Sequence, residues 1–254
     1  MRFATLASGS AGNATLVQHD ATVILIDCGL SVRQVEQRAA TLGIEIADLD
    51  AILLTHEHDD HVAGAAALAR RCGAPVYSTV GTRAAASTRL DGMPQLVTFA
   101  PGQRLNIGAF QVAPVIVPHD AREPCQFVIT GGGKRLGLLT DLGQPTAHLA
   151  REYADLDGLM LEFNHDVRML ADSVYPRTLK LRIGGEYGHL SNPQAVALLK
   201  QIDSPSMRCV VAAHLSEKTN SPERVEALLD SVLPNRLERY IATQGCASPW
   251  FELD

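Results

Sequence analysis

One short string constrains this chain more than any other. After the apolar run Ala51-Ile52-Leu53-Leu54 the sequence reads Thr55-His56-Glu57-His58-Asp59-Asp60-His61, and an alanine-rich stretch follows. Three imidazoles and a carboxylate thus sit together directly after an apolar strand, expected over Ala51–Thr55, and before a helix, expected over Val62–Arg71. His56 and His58, two residues apart, point the same way if extended geometry persists past the strand end. Asp60 and His61 fall on the following turn, where they can face a second position close by. Neutral imidazole with carboxylate is the donor set of catalytic Zn²⁺ sites, and Mn²⁺ or Fe²⁺ accept it too. Three further candidates share one placement. Val115-Ile116-Val117-Pro118 leads into His119, Leu138-Leu139-Thr140 into Asp141, and Val210-Val211-Ala212-Ala213 into His214. Singly, each is an ordinary turn residue. Together they are ligands held at strand ends, with the rigidity a metal site requires.

Composition narrows the class. A chain of 254 residues buries a large core without subdividing, so one domain over 1–254 is expected. The formal net charge of −6 excludes a bulk electrostatic grip on nucleic acid; any grip on phosphate has to be local. The five cysteines are scattered with no CxxC pair, which argues against a disulfide framework or a cysteine zinc site and points to a reducing cytoplasm. The longest aliphatic run, Val23 to Ile26, is too short for a bilayer, and the start lacks an apolar leader, so no membrane partner is expected.

Short β segments alternate with helices. Strands are expected over Arg2–Ala7, Ala14–Gln18 and Thr22–Asp27, then a helix from Ser31 to Gly43, with a second β-rich stretch from about Gln95 to Asp141. Later come strands at Gly158–Glu162, Cys209–Ala213 and Arg239–Thr243, and helices at Pro193–Ile202 and Pro222–Val232. The pattern implies two sheets face to face with helices outside, an α+β architecture.

With those residues in hand, the chain resembles the metallo-β-lactamase superfamily: His-x-His-x-Asp-His at 56–61, then His119, Asp141 and His214 in that order. The resemblance implies a four-layer αββα sandwich and two divalent ions, zinc or manganese. His56, His58 and His119 would hold one, Asp60, His61 and His214 the other, and Asp141 would bridge them. Asp27, in Ile26-Asp27-Cys28-Gly29, matches an aspartate that stands behind the ligands and orients them. Gly188-His189-Leu190-Ser191 and Leu161-Glu162-Phe163 resemble the catalytic histidine and its glutamate partner in the tRNA 3′-processing branch. There His189 would protonate the leaving oxygen, Glu162 would orient and charge it, and Asp60 would assist proton removal from water.

A narrower resemblance runs nearly end to end. Leu6–Thr15, Pro118–Pro124, Glu162–Asp166, Gly188–Asn192 and Ala213–Glu217 are similar to the bacterial WalJ/YycJ-type family. It implies a 5′→3′ exonuclease acting on DNA. Phe163 departs from the small polar residue expected there, which would alter the shape of the pocket. Substrate contacts are expected from Lys180 and Arg182 with Arg177 beside them, from Ser8, Ser10 and Asn13 in a turn whose N–H groups could meet a phosphate, and from His165. Leu179, Leu181 and Ile183 interleave with the cations, so the segment also reads as an alternating, half-buried one. Two other readings stay open: a hydrolase of small phosphodiesters, lactones or thioesters, and a regulatory protein tied to cell-wall signalling.

Overall fold

The structure, a computed structural model, describes residues 1–93, 95–202 and 204–254. The strands form two seven-stranded sheets, and the second β-rich stretch is divided between them, because β6 (Leu96–Phe99) joins the first. The first runs, in spatial order, β1 (Arg2–Ala7), β2 (Ala14–His19), β3 (Thr22–Ile26), β4 (Leu49–Leu53), β5 (Val76–Thr79) and β6 (Leu96–Phe99). The second runs β7 (Leu105–Ile107), β8 (Phe110–Ile116), β9 (Cys125–Gly131), β10 (Lys134–Leu139), β11 (Gly158–Glu162), β12 (Cys209–Ala213) and β13 (Glu238–Ile241). The chain then returns to pair β14 (Phe251–Glu252) with β1. Each sheet is mixed: β1 to β3 and β7 to β10 are antiparallel, whereas β3 to β6 and β10 to β13 are parallel.

Alternation along the strands makes the layers. Ile24, Ile26, Ala51 and Leu53 face Phe127, Met160 and Val211 in the core between the sheets. Their neighbours Val23, Leu25 and Ile52 point outward, onto Val35 and Ala39 of α1 (Val32–Thr41) and Leu68 of a later helix. Leu159, Leu161, Val210 and Ala212 point outward from the other sheet, beneath further helices. Parallel strands covered on both faces read as unbroken apolar runs, which is why Val210–Ala213 shows no alternation. The result is the αββα sandwich.

The remaining helices are α2 (Asp59–Val62), α3 (Ala65–Cys72), α4 (Val80–Ala85), α5 (Ala147–Glu152), α6 (Val167–Asp172), α7 (Arg177–Ile183), α8 (Asn192–Gln201) and α9 (Pro222–Val232). Ser31 and Ser191 cap α1 and α8 in reciprocal boxes with Gln34 and Gln194, each side chain satisfying the other residue's free N–H. Among the described residues no helix is long and apolar enough to cross a membrane.

Two expectations need correction. The single helix expected over Val62–Arg71 is two, α2 and α3. Between them Gly64 donates to the Cys28 carbonyl, and a Cβ on it would sit 1.8 Å from the Leu30 carbonyl. Only a glycine lets the chain pass there. The cationic stretch around Lys180 is not a half-buried extended segment but the helix α7, started after Pro176 and ended at Gly184, with no buried side chain. Its leucines mimic a strand pattern in sequence, yet no second layer covers them.

Candidate metal centre

The parallel strands deliver their C-terminal ends to one edge, the usual place for a site in such sheets. Asp27 follows β3, His56 follows β4, and His119, Asp141 and His214 follow β8, β10 and β12; Glu162 ends β11. The two sheets meet at this edge: Ser8, just past β1, accepts a 2.8 Å bond from the His214 backbone N–H. Asp27, Asp141 and His214 have φ of 59°, 51° and 54°. Left-handed backbone costs a residue with a Cβ of order 1 kcal/mol. The chain accepts that strain three times where a side chain must turn off a strand end into the site.

Hydrogen bonds fix which nitrogen of each imidazole faces inward. The Thr55 hydroxyl donates to Asp27 (2.9 Å), so it accepts from His56 Nδ1 (2.9 Å). His61 Nδ1 donates to Asp27 (2.8 Å), His119 Nδ1 to the Gly188 carbonyl (3.0 Å), and His214 Nδ1 to Glu162 (2.9 Å). Each of these rings therefore turns an Nε2 lone pair inward. His58 presents Nδ1 instead, 2.9 Å from His56 Nε2 and 3.2 Å from His119 Nε2.

Among the described residues, donor atoms converge in four overlapping sets; two of them, His56/His58/His119 and Asp60/His61/His214, adjoin each other, the donor atoms within each set lying within 4.8 Å of one another. Asp141 stands between them. Its Oδ2 is 3.1 Å from His61 Nε2, and its Oδ1 is 3.9 Å from His119 Nε2. That Oδ2 is buried without a hydrogen-bond partner. Lone pairs facing lone pairs and an orphaned buried carboxylate oxygen repel one another unless a cation or protons lie between them. The residues fit divalent metal ions.

Electrostatics agree. Burial opposes charge on His61 and His214, yet nearby carboxylates, Asp141 foremost, raise both, His214 to about 10. Burial likewise opposes ionisation of Asp60 and Asp141, yet the neighbouring imidazoles hold both well below the carboxylate range. His56 and His119, with burial foremost, are lowered and stay neutral, as ligands must.

Glu162 is fully buried and organises half the site. Its Oε1 accepts from His189 Nδ1 and His214 Nδ1, both at 2.9 Å, and its Oε2 from the Leu142 and Leu190 N–H groups. Burial pushes its pKa up, but His189 and then His214 outweigh this and hold it at about 2. In return the Glu162 carboxylate overcomes burial to raise His189.

Residues 22–214 match the model of the beta-lactamase superfamily domain. The chain belongs to that superfamily. Within it, the chain is 32% identical to exodeoxyribonuclease YycJ of Bacillus anthracis over 238 residues, covering 93% of this chain and 90% of that one. It is also 32% identical to exodeoxyribonuclease WalJ of Streptococcus pneumoniae, over 87% of this chain and 84% of that one. It is a metal-dependent hydrolase. The metallo-beta-lactamase fold protein YhfI of Bacillus subtilis superposes with a TM-score of 0.75 at 19% identity, covering 98% of this chain and 99% of that one.

Beside the clustered histidines and aspartates this hydrolase opens a cleft of about 380 Å³, lined by Ser10, Asp120, Leu179, Arg182, Ile183 and His189 among others. Of the residues expected to touch substrate, Ser10 and Arg182 reach this cleft. Ser8 and Asn13 are buried and serve the ligands: Ser8 holds the His214 backbone, and Asn13 Nδ2 lies 3.3 Å from Asp60 Oδ2. In the Ser8–Asn13 turn the N–H groups of Gly9, Ala11, Gly12 and Asn13 have partners within the chain, so they offer no row of free donors to a phosphate. His165 is buried, and Lys180 donates to the Ala171 carbonyl; neither lines the cleft. Phe163 lies in the outer core of the second sheet, so it leaves the pocket's shape alone. Sequence reasoning missed Thr55, which ties Asp27 to His56, and Asp120, which accepts from Arg182 Nε at 2.5 Å. The place of Thr55 immediately before His56 was a usable signal. A single aspartate beside His119 carried none.

Proposed function

We propose that this hydrolase is a 5′→3′ exonuclease on DNA that works by two-metal hydrolysis of phosphodiesters, with zinc or manganese bound. The observation that carries it is the Glu162–His189 pair. A raised imidazole sits beside the ligands at the mouth of the cleft. An alkoxide leaving group needs such an acid far more than a thiolate does. The names of the YycJ and WalJ relatives, both exodeoxyribonucleases, support DNA as substrate.

His56, His58 and His119 would hold one ion and Asp60, His61 and His214 the other, with Asp141 between. Bound there, the ions supply acidified water and neutralise charge on the phosphoryl oxygens. The chain supplies the rest. Asp60, charged and partly open to the cleft, accepts a hydrogen bond from the attacking water and assists the loss of its proton. The new bond joins that oxygen to phosphorus as the P–O bond to the departing nucleotide breaks. His189, with Nδ1 tied to Glu162, holds on Nε2 the proton that the leaving oxygen receives. Asp27 and Thr55 keep His56 and His61 turned inward. Arg182, anchored by Asp120, offers the one guanidinium among the cleft's lining residues.

The test is a metal-reconstituted assay that compares 5′-labelled and 3′-labelled duplex DNA, single-stranded DNA, bis-p-nitrophenyl phosphate and a thioester. Release of mononucleotides from the 5′ end is expected. Turnover of the thioester alone overturns the reading.

A further inference from the structure

Each inward-turned imidazole has a partner on its far side, with one exception. The outer nitrogen of His56 meets Thr55, that of His61 meets Asp27, that of His119 the Gly188 carbonyl and that of His214 Glu162. His58 is the exception. Its Nδ1 faces inward, and among the described residues its Nε2 makes no hydrogen bond. The carboxylate that faces this nitrogen is Asp120, whose Oδ1 lies 3.8 Å from His58 Nε2 and 3.5 Å from His119 Nε2. Asp120 belongs to none of the donor sets whose atoms lie within 4.8 Å of one another, so it stands beside the ligands rather than among them. Its other oxygen, Oδ2, accepts from Arg182 Nε at 2.5 Å.

The loop that presents Asp120 is pinned on both sides of it. Arg122 N–H donates to Glu57 Oε1 at 2.7 Å, which ties the loop to the residue between His56 and His58. Thr79 Oγ1 donates to the Glu123 carbonyl (2.9 Å), and Gly143 N–H to the Pro118 carbonyl (2.8 Å). The Asp120 side chain is 28% exposed and that of Arg182 60%. The carboxylate is therefore the fixed end of the pair, and the guanidinium the free end that reaches the cleft.

From this geometry we propose that Asp120 is a positioning residue with two tasks. Its Oδ1 steadies His58 through Nε2–H, and its Oδ2 presents the Arg182 guanidinium to a phosphoryl oxygen in the cleft. A ligating histidine whose outer N–H meets a carboxylate is fixed in ring orientation and is a more basic donor. The 3.8 Å separation is an ion-pair distance, and a small rotation of the partly exposed His58 ring converts it to a hydrogen bond. The His58 task stands on the donor geometry alone, whereas the Arg182 task rests on the phosphodiesterase reading.

Zinc affinity is measured by competition with a chromophoric chelator, without substrate, for wild type, Asp120→Ala, Asp120→Asn, Arg182→Gln and the Asp120→Ala/Arg182→Gln double variant. KM and kcat for bis-p-nitrophenyl phosphate are then measured with zinc in excess. Asp120→Ala should weaken zinc binding about tenfold, the lower end for loss of an outer partner, yet still bind the wild-type number of ions at saturation. Asp120→Asn keeps an acceptor oxygen and should recover part of the loss. Arg182→Gln should raise KM about tenfold, as for one charge-assisted hydrogen bond, and should weaken zinc less than Asp120→Ala does. Because the two residues act as one unit on substrate, the double variant should show a KM no higher than that of Arg182→Gln. Wild-type zinc affinity in Asp120→Ala overturns the proposal. So does a loss of affinity matched by an equal loss of stability in the metal-free protein, which makes Asp120 merely structural. An Asp120→Ala protein that never binds the full number of ions makes the residue a ligand and overturns it as well. If the wild type does not hydrolyse bis-p-nitrophenyl phosphate, the phosphodiesterase reading and the Arg182 task fall together, and the zinc series alone decides the His58 task.

Discussion

Glu162 accepts hydrogen bonds from two imidazoles and from backbone N–H groups at once, so its charge and its geometry can be separated by substitution. Glu162→Gln keeps the volume but removes the carboxylate that raises His189. The sign follows directly. A lower His189 pKa means that the acid form is lost at lower pH, so the alkaline limb of the kcat profile should move towards acid. A pH–rate series in both proteins checks this. His189→Ala should keep its metals by elemental analysis yet lose about 10²- to 10⁴-fold in turnover, the range for removal of a general acid. Asp141→Ala behaves differently, because the buried carboxylate between the two donor sets is then gone, and metal content itself should fall.

At the scale of elements, the loop from β4 into α2 is held by backbone contacts as much as by ligands. Asn13 N–H donates to the Asp60 carbonyl and Cys28 N–H to the His61 carbonyl. Gly29 lies against this turn, and a Cβ there would be 1.9 Å from the Asp60 carbonyl oxygen. Gly29→Ala should therefore cost about 1–3 kcal/mol in denaturant unfolding, the usual penalty for overpacking. It should also push Asp60 and His61 outward, lowering occupancy of the Asp60/His61/His214 set. A cavity far from this edge, such as Leu198→Ala beneath α8, would cost comparable stability yet leave metal content unchanged. That contrast identifies the loop as part of the site.

For the whole molecule, the centre is a linkage between metal, protons and folding. Burial opposes charge on His61 and His214 but carboxylates raise both, so protons compete with metal for these lone pairs. Divalent ions take the same lone pairs and expel those protons. Calorimetric titration with zinc at pH 7 in buffers of differing ionisation enthalpy should report net proton release. Excess metal at about 100 times Kd should raise stability by about 2.7 kcal/mol per site, and chelation should reverse this as a lower Tm.

The candidate ligands were legible in the sequence because their residues announce themselves chemically: clustered imidazoles after an apolar run, then single His or Asp residues at the ends of others. The sandwich was legible through the apolar runs that two-sided burial demands. What the sequence left open was decided by contacts between residues distant along the chain. The split between α2 and α3, the uncovered helix at Lys180 and the inward turn of Asn13 and His165 all depend on which backbone or layer lies opposite, and no local pattern carries that. The tautomers of His61, His119 and His214 are decided the same way, by Asp27, Gly188 and Glu162, which lie far off along the chain. Side-chain chemistry is a local property of the chain, whereas burial and partnership exist only once the two sheets have met.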